Sequence, residues 1–179
     1  MPTIHTIGHS TRALPELVDL LRAHGVTLLA DVRTRPGSRR LPHFDREALE
    51  RELPAAGIEY RHVPELGGLR KPRPDSPNLA WRNAGFRGYA DQMQTDEWRR
   101  ALDGLIELAT RRRVAIMCAE AVPWRCHRSL VADALAVRGH TVRHITGPGT
   151  AAPHSLTSFA YVEGDRITYP GNSRLPING

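Results

Sequence analysis

The stretch Arg113–Thr146, R-V-A-I-M-C-A-E-A-V-P-W-R-C-H-R-S-L-V-A-D-A-L-A-V-R-G-H-T-V-R-H-I-T, decides how the rest of the chain is read. It opens on the apolar run Val114 to Met117, whose length and β-branched content suit a strand buried on both faces. A polar loop follows, holding the only two cysteines of the chain, Cys118 and Cys126, with Glu120, Arg125, His127 and Arg128 among and beside them. From about Arg128 the spacing turns helical, with Leu130, Val131, Ala134 and Leu135 on one stripe and Gly139 placed as the stop. Val142 to Ile145 reads as the next strand. A strand, loop and helix in that order put the loop at the carboxyl end of a parallel sheet, where open α/β folds seat ligands. The helix start adds free N–H groups and a positive dipole end, so Cys126, His127 and Arg128 predict an anion seat that favours a thiolate at Cys126.

Working outward, the same alternation recurs. Thr3 to Ile7 reads as the first strand and runs into Gly8-His9-Ser10. Pro15 then suits a helix start, Leu17, Val18 and Leu21 its buried stripe, and Gly25 its end. Val26 to Val32 predicts a central strand ending in Asp31-Val32-Arg33, followed by an arginine-rich loop to His43. Asp45 can cap a helix with Leu49 and Leu53 inward, closed by Gly57 despite Pro54. Ile58 to Val63 predicts a third strand, ending in Pro64-Glu65-Leu66-Gly67-Gly68. The segment from Gly67 to Gly85, with prolines at 72, 74 and 77, predicts a long irregular loop, read as a lid over the site. Phe86 to Thr110 predicts helix broken near Thr95, with Tyr89, Met93, Trp98, Leu102, Leu105 and Ile106 inward. Gly147 to Ser155 reads as a glycine and proline loop. Phe159 to Val162 and Arg166 to Tyr169 flank the hairpin signal Gly164-Asp165, and the tail from Pro170 reads as frayed or an oligomer contact.

The predicted fold is therefore α/β, a three-layer, mostly parallel, doubly wound sheet of about five strands with a C-terminal β-hairpin. Residues 1–150 form a single α/β domain, and residues 151–179 a hairpin and tail packed on it. The length of 179 residues suits that one core. No apolar run is long enough to span a membrane, and the start M-P-T-I-H-T-I-G-H-S lacks a signal-peptide layout, so a cytoplasmic chain with no membrane partner is expected. The net charge of +6 invites a polyanion partner, although a basic set in which only Lys71 is lysine also fits a GC-rich coding sequence. Two cysteines in a cytoplasmic chain read as reduced thiols.

In a parallel sheet every strand's carboxyl end faces one edge. The sequence places Gly8, His9 and Ser10, then Asp31 and Arg33, then Gly67 and Gly68, then Cys118 and Glu120 at those ends, which is the argument for one site. Cys118 or Cys126 would be the reactive thiol, with Glu120, Asp31 and His9 moving protons. Gly8, Ser10, Arg33, Gly67, Gly68, Arg125, His127 and Arg128 would hold an anionic substrate, a small molecule or a nucleotide or nucleic acid. Asp31 and Glu120 could instead serve as a carboxylate pair. No motif calls for a cofactor or a metal; zinc or iron on the cysteines and a histidine is the alternative, and the C-x7-C-H spacing lacks the paired C-x2-C of structural zinc sites. Two other functions stay open: a non-catalytic nucleic-acid-binding module using the arginine loops, and a metal-binding or redox-sensing domain.

The motifs T-I-G-H-S at 6 to 10, D-V-R at 31 to 33, G-I-E-Y-R-H-V-P-E-L-G-G at 57 to 68, F-R-G-Y-A-D-Q-M at 86 to 93, and M-C-A-E with C-H-R at 117 to 128 span roughly residues 4 to 145. In this set the chain resembles the uncharacterised family called domain of unknown function 488. That resemblance implies a shared site built from these motifs and no particular reaction. A fainter similarity is to rhodanese-like sulfurtransferases, where Asp31, Arg33 and Cys118 would correspond. The cysteine loop here is longer, and Arg125 falls one residue beyond the related C-x5-R phosphatase spacing.

Overall fold

The computed structural model describes residues 2–171. In chain order the elements are β1 (Thr3–Gly8), α1 (Leu14–Ala23), β2 (Leu28–Asp31), α2 (Arg46–Ala55), β3 (Glu59–His62), α3 (Ala84–Gln92), α4 (Asp96–Arg111), β4 (Val114–Cys118), α5 (Arg128–Val137), β5 (Thr141–Ile145), β6 (Ala152–Pro153), β7 (Tyr161–Glu163) and β8 (Arg166–Thr168). The main sheet has the order β3-β2-β4-β1-β5-β6, and its first five strands run parallel.

Strand β4 sits at the centre and is buried throughout. Because side chains alternate across a strand, Val114, Ile116 and Cys118 enter the core shared with α3, α4 and α5, while Ala115 and Met117 enter the core shared with α1 and α2. The result is three layers, with the cysteine end of β4 on the α5 side. Helices α1, α2 and α5 are each followed by a glycine in the left-handed region, Gly25, Gly57 and Gly139, as expected for residues that can adopt positive φ without a Cβ clash.

Some local expectations shift. Thr95 caps α4 by accepting from Trp98 N at 3.3 Å. Asp45 stands at the start of α2, yet its carboxylate accepts from Ser38 N at 3.0 Å instead of capping the helix. The Gly147–Ser155 loop contains a two-residue edge strand, β6, which pairs antiparallel with β5. Pro153 is tolerated there because an edge strand has one side with no ladder bond to donate. The loop from Gly67 to Asn83 carries no helix or strand, but its middle is strapped to α3: Asp91 accepts from Arg73 N, Ser76 Oγ and Asn78 Nδ2. The β7–β8 hairpin turns at Gly164, and Ile167 and Tyr169 join the core beside α5. The expected tail beyond Gly171 lies outside the described residues. Among the described residues no helix is long and apolar enough to cross a membrane.

Candidate functional site

The parallel register brings the strand ends together. Gly8 pairs with Cys118, and Asp31 with both Met117 and His62. Beyond the strands the ladder continues, with His9 N donating to Cys118 O and Ser10 N to Ala119 O, both at 2.9 Å. Gly8 is where the β4–α5 loop crosses β1: a Cβ there would lie 1.8 Å from Glu120 O. A cavity of about 430 Å³ opens over this edge. Its walls include Cys118, Glu120, Cys126, His127, Arg33, Arg35 and Gly68, with Phe86 and Tyr89 from α3.

The two thiols are unbridged and form one unit with Arg128. Arg128 is the first residue of α5, has no exposed surface, and points back under the loop. Its Nη1 donates to Cys118 Sγ at 2.8 Å and to Glu120 O, its Nη2 to Ala121 O at 3.0 Å, and its Nε to Thr6 Oγ1 at 3.2 Å. Among the described residues none of these partners is a carboxylate. A buried guanidinium cannot shed its proton, so the sulfur is the group able to meet its charge. Burial pushes the Cys118 thiol up, but the Cys126 hydrogen bond and the Arg128 charge outweigh it and bring Cys118 down to about 7. The same hydrogen bond, then burial, pushes Cys126 well up, so the thiolate expected at Cys126 from the helix start falls instead to Cys118, the thiol that ionises first. The helix-start amides are occupied: Arg128 N donates to Cys126 Sγ at 3.5 Å, and Ser129 N to Cys126 O at 3.0 Å.

His127 flanks the pair. Its Nε2 donates to Val32 O at 3.2 Å, which leaves Nδ1 bare, 3.6 Å from Cys126 Sγ. Burial, with Arg128 and Arg70 nearby, depresses this imidazole to about 4. Gly68 packs against the ring, with room for a Cβ only 3.1 Å from Nδ1.

Behind the wall, at the end of β2, Asp31 is fully buried and its oxygens are committed. It accepts from Arg33 Nε at 2.9 Å and Nη2 at 2.7 Å, from Arg33 N, and from Tyr60 OH at 2.6 Å. Arg33 Nη2 also donates to Phe44 O and Nη1 to His9 Nε2 at 3.3 Å. Of the five guanidinium hydrogens, one on Nη1 is left for a ligand. His9 donates Nδ1–H to Ser10 O and stacks on Phe44 at 4.3 Å; burial lowers its pKa.

The residues singled out from the sequence thus separate by position. Cys118, Glu120, Cys126, Arg33, Gly68, Arg125 and His127 line the cavity. Asp31, His9 and Arg128 lie behind its wall, Gly8 and Gly67 are close-packing points, and Ser10 adopts φ 51° beside the Cys118 loop. Arg35, Phe86 and Tyr89 were missed as wall residues. Arg35 lies inside the arginine loop, and the helical spacing that places Tyr89 in the core, where it is buried, gives no sign that it also borders the cavity. Among the described residues no group of three or more His, Cys, Asp or Glu side chains is placed to hold a metal.

No curated protein and no solved structure matches the chain. A family profile does, the one described as Domain of unknown function DUF488, over residues 13–135. That span includes Arg33, Cys118, Cys126 and Arg128, and leaves Gly8, His9 and everything after Leu135 outside it. The match covers well over half of the sequence, and the chain belongs to this family.

Proposed function

We propose that the chain is an enzyme in which the Cys118 thiolate attacks an anionic substrate held in the cavity at the carboxyl edge of the sheet. The observation that carries this is the 2.8 Å contact of Arg128 Nη1 with Cys118 Sγ, in a cavity wall with a protonated thiol alongside. In the first step the sulfur lone pair forms a bond to the electrophilic atom, and the bond to the leaving group breaks. The leaving group departs with that bond's electrons and takes a proton from Cys126, whose raised pKa has kept it protonated. Water deprotonated by Glu120, or a second acceptor, then bonds to the group and breaks its bond to sulfur, which frees the Cys118 thiolate, and the acceptor's proton returns to Cys126. Arg35, Arg125 and the free Nη1 hydrogen of Arg33 supply the anion contacts. Asp31 and His9 fix Arg33 in place, which makes them positioning rather than proton-moving groups.

The test is covalent trapping. Protein is incubated with thiosulfate, an aryl phosphate or an aryl thioester, and intact mass is read for an adduct on Cys118. An adduct lost in Cys118→Ser and altered in lifetime in Cys126→Ser supports the reading. Turnover that both variants retain in full removes it. Such a free thiol pair belongs in a reducing compartment, so we place the chain in the cytoplasm.

A second reading, polyanion binding without catalysis, rests on Trp124, 74% exposed next to exposed Arg125. An aromatic face beside a cation suits unpaired bases. This reading predicts binding to generic RNA or DNA that falls steeply with salt and is lost in Trp124→Ala and Arg125→Glu but kept in Cys118→Ser.

A further inference from the structure

Four polar side chains that take no part in the cavity wall form a continuous file behind it. Arg128 Nε donates to Thr6 Oγ1 at 3.2 Å. Thr6 Oγ1 lies 2.6 Å from His144 Nδ1, His144 Nε2 lies 2.9 Å from His154 Nδ1, and His154 Nε2 lies 2.7 Å from Asp133 Oδ1. Asp133 is fully buried and accepts as well from Thr157 N, Thr157 Oγ1 and Tyr169 OH.

With both imidazoles neutral, the carboxylate end sets the direction of every link. A guanidinium only donates and a carboxylate only accepts. With neutral imidazoles, Asp133 requires Nε2–H on His154, which leaves its Nδ1 to accept from Nε2–H of His144. His144 Nδ1 is then bare and takes the Thr6 hydroxyl hydrogen, so the Thr6 oxygen keeps a lone pair for Arg128. Burial holds His144 neutral, down to about 4. The file cannot carry protons to sulfur, because the guanidinium between Thr6 and Cys118 does not release one. What it can do is orient.

We propose that Thr6, His144, His154 and Asp133 are positioning residues that hold the Arg128 guanidinium against Cys118 Sγ. Arg128 has two ends: one faces sulfur and two loop carbonyls, and the other faces Thr6 Oγ1. A long side chain has several rotamers, and one fixed acceptor on Nε selects the rotamer that brings Nη1 to the sulfur. Asp133 and Arg128 both come from α5, while the intervening groups come from β1, β5 and the segment after β6. Thr6, His144, His154, Thr157 and Tyr169 all lie outside the family-matched span, so the C-terminal segment reaches the thiol through this file.

This inference rests on Cys118 being a stabilised thiolate, and its readout is the ionisation of that sulfur, independent of any turnover. Thiolate absorbance at 240 nm is titrated against pH in the wild type, Thr6→Val and Thr6→Ser, with Cys118→Ser as the blank. Thr6→Val keeps the shape and loses the acceptor, and should raise the Cys118 midpoint by about one pH unit. Thr6→Ser, which keeps the hydroxyl, should restore the wild-type midpoint. A folded Thr6→Val protein with an unchanged midpoint overturns the proposal. If Thr6→Val does not fold, nitrogen-15 NMR of the wild type decides: hydrogen on His144 Nε2 supports the file, and hydrogen on His144 Nδ1 overturns it. Catalytic failure of Cys118→Ser bears on the reaction alone and leaves these titrations readable.

Discussion

Two arginines serve the cavity, Arg33 half-buried in its wall and Arg128 fully buried behind it, and they differ in what meets their charge. Arg33 is clasped by the Asp31 carboxylate, with Tyr60 completing the anion's shell. Arg128 has a sulfur, two carbonyls and a hydroxyl. A guanidinium met by its own carboxylate is neutralised as a unit and contributes shape and one spare hydrogen. A guanidinium met by neutral dipoles keeps an uncompensated field, and a nearby thiol answers it by ionising. The same residue type therefore builds the wall at one strand end and creates a nucleophile at another.

Removing Arg128 gives the largest effect expected. Arg128→Met leaves the carbonyls of Glu120 and Ala121 without their donor and should cost about 3 to 5 kcal/mol in denaturant unfolding. In whatever fraction stays folded, iodoacetamide alkylation of Cys118 at pH 7 should slow by about tenfold or more. In the wild type that rate should rise with pH through a midpoint near 7, against 9.0 for an ordinary thiol.

Asp31→Asn makes the opposite test. It strands Arg33 without its counter-charge and should cost about 3 kcal/mol, yet leave the alkylation midpoint of Cys118 where it was. A midpoint that moves as far as in Arg128→Met would abolish the distinction drawn between the two arginines.

Gly8→Ala probes the crossing of the β4–α5 loop over β1. Its Cβ would need the space of Glu120 O, so the loop must move, at about 2 kcal/mol, carrying with it a carbonyl that Arg128 uses. Stability and the Cys118 midpoint should change together in this variant.

Acid should weaken the fold through His127. Burial keeps its imidazole neutral down to about 4, whereas the unfolded chain takes up that proton near 6.5. The unfolded state binds more protons in that window, so stability falls as pH drops from 6.5 towards 4. Urea midpoints measured across that range should show a shallower slope in His127→Gln than in the wild type. The smallest change is expected for Arg125→Ala, whose exposed guanidinium has no hydrogen-bond partner among the described residues. Its unfolding energy should stay within about 0.5 kcal/mol, while phosphate binding measured by calorimetry weakens.

Much of the scaffold was legible in the chain. Apolar runs separated by stripes of helical period, three of them closed by a glycine, identify a parallel α/β sheet, and such a sheet gathers its strand ends on one edge. The two-residue strand β6 escaped because it lacks an apolar pattern and exists only by pairing with β5. Arg128 was expected to face an anion from the helix start, and instead lies beneath the loop against sulfur. The file through Thr6, His144, His154 and Asp133 left no trace in spacing, since its members sit on four separate segments.

The chain alone determined which residues reach the rim, because strand and helix periods are local properties and a parallel sheet orders their ends. Only the tertiary structure decided which arginine met a carboxylate and which met a thiol. A long side chain chooses among hydrogen-bond partners that arrive from distant segments, and that choice depends on distances no local pattern records.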